Sequence, residues 1–112
     1  MTLVRPKEIL GQARALLSPP QSWSQHSWAY DQTDARVPLQ SKAACSWCLE
    51  GAIRRVAIRG KASEADLDRA LALIRDQIQV PGNYPTIQGW NDRPRTTHRE
   101  VLIVLDKAIA SA

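Results

Sequence analysis

Apolar residues recur along this chain at helical spacing. Ile9, Leu10, Ala13, Leu16 and Leu17 share one face at 3.6 residues per turn, which predicts a first helix over residues 6–18. Pro6 suits its first position, where a missing N–H is harmless, and Pro19 and Pro20 close it. Leu67, Ala70, Leu71, Ile74 and Ile78 form the stripe of another helix. That helix opens at Ser63, where S-E-A-D supplies a cap and acids for the first turn, and P-G-N at 81–83 ends it. Thr97 and Glu100 read as a capping box. A last helix therefore runs from there to about residue 110, burying Val101, Val104, Leu105 and Ala108, widened by Leu102 and Ile109.

Residues 41–60 organise the rest. Read as one helix capped by Ser41, they place Cys45, Cys48, Leu49, Ala52 and Val56 on one stripe. Trp47, Gly51 and Ile58, with Ala44 at the edge, form a second apolar surface nearly opposite. Such a helix requires cover on two sides. Gly51 inside it costs about 1 kcal/mol relative to alanine, which predicts close approach of a backbone or a Trp ring there. Gly60 is the expected stop.

Two long connections remain. Residues 21–40 carry Trp23, Trp28 and Tyr30, with a short helical turn expected near 24–30. Residues 80–96 carry Tyr84 and Trp90 among prolines and glycines. Connections of this length in a small domain have structure or function of their own. No alternating strand pattern extends beyond a few residues. The fold class expected is all-α: a compact four-helix single domain over residues 1–112, its two Trp-containing loops packed on the central helix.

With 112 residues, 44% of them hydrophobic and 23% charged, the composition is that of an ordinary soluble domain. There is no Phe, so four Trp must supply the large aromatic packing. No run is long enough to span a membrane, and the first ten residues hold no secretory apolar region. Two cysteines in such a chain suggest a reducing, cytoplasmic setting. A net charge of +4 permits nucleic acid or an acidic protein as partner and demands neither. Arg54, Arg55 and Arg59 with Lys61 form one basic group; Arg93, Arg95 and Arg99 form another.

Each candidate chemistry has a structural counterpart. C-S-W-C places Cys45 and Cys48 at redox spacing, but both fall mid-stripe rather than at a helix start, so buried filler is the preferred reading. Zinc would need Cys45, Cys48, His26 and His98, an order that matches no zinc-finger spacing; neither a metal nor a cofactor is expected. A thiol enzyme would use Cys48, His98 and Asp92, although nothing in the spacing forces them together. Trp90, Asn91 and Asp92 read first as a plug and turn before the last helix. Alternatively Trp23, Trp28 and Trp90 wall a pocket, with Asn91, Asp92, His26 and Gln25 pointing in. Glu50 and Arg54 should pair along the helix surface.

Three stretches carry a resemblance: W-S-Q at 23–25 with A-Y-D at 29–31; A-C-S-W-C-L-E-G-A-I at 44–53; and W-N-D at 90–92 with E-V-L at 100–102. The chain resembles, from Trp23 to Ala108, a family of small bacterial and phage proteins classed as a domain of unknown function, with W-C-L-x-G-A and W-N-D motifs. Its members often carry a glycine shortly after the Asp31 position, where this chain reads D-Q-T-D-A. The resemblance implies a phage or mobile-element setting and brings no activity. The function expected is a non-enzymatic protein-interaction module that modulates a host complex, with the two arginine groups as its exposed contact surface. The alternatives are a small-ligand binder or hydrolase-like enzyme at the Trp23/Trp28/Trp90 junction, and nucleic-acid binding through the basic face.

Overall fold

A computed structural model describes residues 5–78 and 86–112 of the chain. Among these, five α-helices carry the fold: α1 (Pro6–Leu16), α2 (Leu49–Arg59), α3 (Glu64–Ile78), α4 (Ile87–Asn91) and α5 (His98–Ser111). Two short strands, β1 (Ala29–Tyr30) and β2 (Ser46–Trp47), pair antiparallel, Ala29 opposite Trp47 and Tyr30 opposite Ser46. The protein is thus mostly helical with a small sheet. The expected stop at 81–83 and Tyr84 lie outside the described residues.

Local chemistry accounts for most of the helix ends. Pro6 opens α1. Ser63 Oγ accepts from the Asp66 amide at 3.0 Å, ahead of α3. Thr97 and Glu100 form the expected box before α5, with Thr97 N donating to Glu100 Oε1 at 3.1 Å and Glu100 N to Thr97 Oγ1 at 3.2 Å. α2 stops at Gly60 as expected, but the glycine is not the residue that turns left-handed. Gly60 keeps a right-handed conformation, and Lys61 takes the left-handed one at φ 55°. Lys61 N reaches Ile58 O at 3.1 Å and Ala62 N reaches Ala57 O at 2.9 Å, the paired bonds of a Schellman end with lysine in the glycine seat.

The largest departure is the start of the central helix. It begins at Leu49, eight residues after the expected cap. Ser41 does act locally, taking the Ala43 amide on its hydroxyl at 3.1 Å, but that turn is not continued. Instead residues 44–47 run extended: Cys45 N donates to Tyr30 O at 2.8 Å, and Ser24 N to Trp47 O at 3.0 Å. Long-range pairing here overrides helical periodicity. Residues 25–28 correspondingly form bends and then β1, not the expected helical turn.

One apolar cluster joins all five helices, with Ile9, Leu10, Leu49, Ile53, Leu71, Ile74, Ile87, Val101 and Leu105 fully or almost fully buried. α1 packs on α2, α3 and α5, and α3 on α5. Trp47 and Trp90 are buried, Trp23 is partly buried against the cluster, and Trp28 stays 37% exposed. Ile58, expected under cover, is 54% exposed. The second apolar face of α2 is therefore covered only at its start. There Gly51 admits the Trp28 carbonyl so closely that a Cβ would lie 2.6 Å from the oxygen. That close approach is the one its position in the helix led us to expect.

Candidate functional site

Asn91, at the end of α4, is completely buried. Its Oδ1 accepts from the Trp23 indole at 2.7 Å and from the Leu49 amide at 3.0 Å. Its Nδ2 donates to Ser24 O at 3.1 Å and to Asp92 Oδ1 at 2.9 Å. All four hydrogen-bonding places of the amide are filled, and the two donors facing Oδ1 fix which way it points. Leu49 is the first residue of α2, whose amide has no partner within its own helix. One side chain thus joins the first long connection, the central helix and the segment before α5.

Neighbouring groups tighten the joint. Gln25 Nε2 donates to Asn91 O at 2.8 Å and Arg93 O at 3.1 Å. Asp92 Oδ1 also accepts the His26 amide at 2.8 Å, holding His26 at a left-handed φ of 76°. Tyr30 OH donates to Gln25 O, and Thr96 Oγ1 to Trp90 O. Of the polar residues expected to point into a pocket, Gln25, Asn91 and Asp92 are thus bonded to one another and to backbone, while His26 is exposed and joins them through its backbone amide. Trp23, Asn91 and Asp92 are brought together; Trp28 instead lies on the surface, its ring under Arg54 at 6.0 Å.

The thiols are not mid-helix. Cys45 is exposed on the extended segment and lines an open cleft of about 500 Å³ with Asp31, Thr33 and Lys42. Cys48 is the buried N-cap of α2, and its sulfur accepts the Gly51 amide at 3.2 Å. A helix start favours a thiolate, yet burial outweighs that bond and pushes the Cys48 thiol up to about 11. His98 places Nε2 2.7 Å from Leu17 O, with its ring beside Trp23 at 6.5 Å. Cys48, His98 and Asp92 therefore bond to other groups, and no thiol–imidazole bond forms. Among the described residues no three His, Cys, Asp or Glu side chains converge on one point suited to a metal.

The arginines divide by role. Arg54 pairs with Glu50 at 2.8 Å, as the four-residue spacing led us to expect. Arg55 is not the exposed contact residue expected of it. It is half-buried, 4.8 Å above the Trp47 ring, and donates Nη1 to Leu39 O at 2.8 Å and Ser41 O at 3.2 Å. Arg93 likewise turns inward, toward Thr96 and over Trp90. Arg59, Arg95 and Arg99 remain exposed. Sequence reasoning missed the grouping of Trp28, Arg54 and Ile58 on the outer side of α2, because it covered Ile58. The partnership of Gln40 Oε1 with Arg59 Nε, at 3.0 Å, had no sequence signal at all.

Fold and site together define a small, mostly helical protein whose loops are locked to a helix start by a W-N-D segment with Trp90 and Asn91 buried. The chain belongs to a family of unknown function (DUF6197), whose model matches residues 1–111. Neither a curated protein nor a solved structure matches it. No helix among the described residues is long and apolar enough to cross a membrane.

Proposed function

We propose that this protein is a single-domain, non-enzymatic interaction module that binds an acidic protein surface through the outer side of α2. The observation that carries the reading is the exposure of Ile58 and Trp28 beside Arg54 and Arg59. Arg54 and Ile58 stand one turn apart, and the Trp28 ring lies under Arg54. Exposed apolar side chains ringed by arginines are the composition of interface centres, and net charge +4 favours an acidic partner. The polar groups that would serve catalysis, by contrast, hold the fold together. A cytoplasmic, phage or mobile-element setting, with the partner a host complex, is the context this reading favours.

The test pairs Ile58→Asp with Arg59→Glu and measures capture of proteins from the native host. Partners held by the wild type and lost by the folded double variant support the reading. Equal capture by both overturns it. So does capture that vanishes on nuclease treatment, which would assign the arginines to nucleic acid instead.

A further inference from the structure

Arg55 and Arg59 stand four residues apart on α2 and reach over the same stretch, residues 39–41. Arg55 is held there by two carbonyls and the Trp47 ring, Arg59 by the single bond from Nε to Gln40 Oε1. Among the described residues no carboxylate pairs with either arginine. Burial and then the like charge of Arg59 lower the pKa of Arg55, so the two cations repel as they stand. Beneath them lie two buried donors without acceptors among the described residues, Gln40 Nε2 and Trp47 Nε1. Turning the Gln40 amide offers no cure, since that would set its NH2 against the Arg59 donor. Everything lacking here is of one kind: negative charge for two guanidiniums, and lone pairs for an amide and an indole.

We propose that Arg55, Arg59 and Gln40 form an oxyanion site whose occupant is a carboxylate of the acidic partner. The proposal rests on the reading of α2 as the contact face and names the group recognised there. The incoming carboxylate takes the exposed Arg59 fork in two parallel hydrogen bonds and displaces Gln40 Oε1. The released amide turns and donates Nε2 to the carboxylate, which satisfies a donor buried without a partner. Arg55, fixed by Leu39 O and Ser41 O, supplies a second positive charge that does not move. Ile58 precedes Arg59 in α2 and is 54% exposed, so apolar surface lies on the adjoining face of the helix. That flank suits a carboxylate carried on a protein side chain better than a phosphate.

The test uses the isolated ¹⁵N-labelled protein at constant ionic strength. The probes are glutamate blocked at both termini and, separately, inorganic phosphate. Arg59 and Arg55 Nε–H and the Gln40 side-chain amide should shift together and saturate with blocked glutamate, and phosphate should bind more weakly. Arg59→Gln should weaken the blocked glutamate about tenfold or more, the loss of its two charge-assisted hydrogen bonds, with a dispersed spectrum showing the fold retained. Shifts that never saturate, that spread equally over Arg69, Arg95 and Arg99, or that survive Arg59→Gln would overturn the proposal. Tighter binding of phosphate would overturn the carboxylate assignment. Because no partner is present, saturable binding here alongside failed partner capture would sink only the contact-face reading.

Discussion

Cys48 lies buried at the start of α2 with its sulfur against the Gly51 amide, while Cys45 is exposed three residues earlier. The two thiols should therefore separate cleanly under a thiol reagent at pH 8: Cys45 reacts at once, and Cys48 only when the chain unfolds. Two fast thiols would contradict the burial. The pH dependence has a definite sign. The folded Cys48 thiol is raised from 9.0 to about 11, so the fold favours the protonated form. Its contribution to stability is complete below about pH 9 and is lost as pH rises through about 11. The urea midpoint of the wild type should fall toward that of Cys48→Ala across that window. Lys61 gives a second residue-scale test. A left-handed φ disfavours a side chain with Cβ, so Lys61→Gly should raise stability by about 1 kcal/mol in urea unfolding.

Among the elements, α2 carries the sharpest contrast between local preference and packing. By propensity alone, Gly51→Ala should stabilise the helix by about 1 kcal/mol. The added Cβ would stand 2.6 Å from the backbone oxygen of Trp28 and 3.1 Å from the Cys48 sulfur, so packing reverses the sign. Overpacking of this kind costs about 1–3 kcal/mol, and the variant should be less stable than the wild type in urea. The same helix shows where sequence reading reaches and where it stops. The stripes of α1, α3 and α5 and the Thr97–Glu100 box were legible, because each depends on spacing within one segment. The start of α2 was not. Residues 44–47 carry a helical apolar pattern, and only their bonds to Ser24 and Tyr30, about twenty residues away, draw them into an extended path. α4 was hidden for another reason: five residues are too few for a periodicity to declare itself.

Across the whole molecule, side chains with charge or hydrogen-bonding capacity divide into those that hold the loops and those that face solvent. Arg55 belongs to the first group. Arg55→Ala would leave two carbonyls and the Trp47 face without their donor and should cost about 1–3 kcal/mol. Arg54→Ala removes a part-buried pair and a contact over the Trp28 ring, and should cost less, about 0.5–1 kcal/mol. Comparing thermal midpoints of the two variants checks that division. The residues of the W-N-D segment could be picked out from sequence, but the role expected first, a local turn before the last helix, is not the one observed: Asn91 and Asp92 bond to Trp23, Ser24, His26 and Leu49. What each one bonds to was not legible, because Asn91 meets partners 68 and 42 positions away. The account rests on that amide as the joint between both connections and α2. Its most direct test is a double-mutant cycle of Trp23→Phe and Asn91→Ala, read by urea unfolding. Asn91→Ala alone should cost about 3 kcal/mol, because it strands the buried donors on Trp23 and Leu49. The account predicts coupling between the two changes of about 1 kcal/mol or more; additive losses, agreeing within about 0.5 kcal/mol, would contradict it.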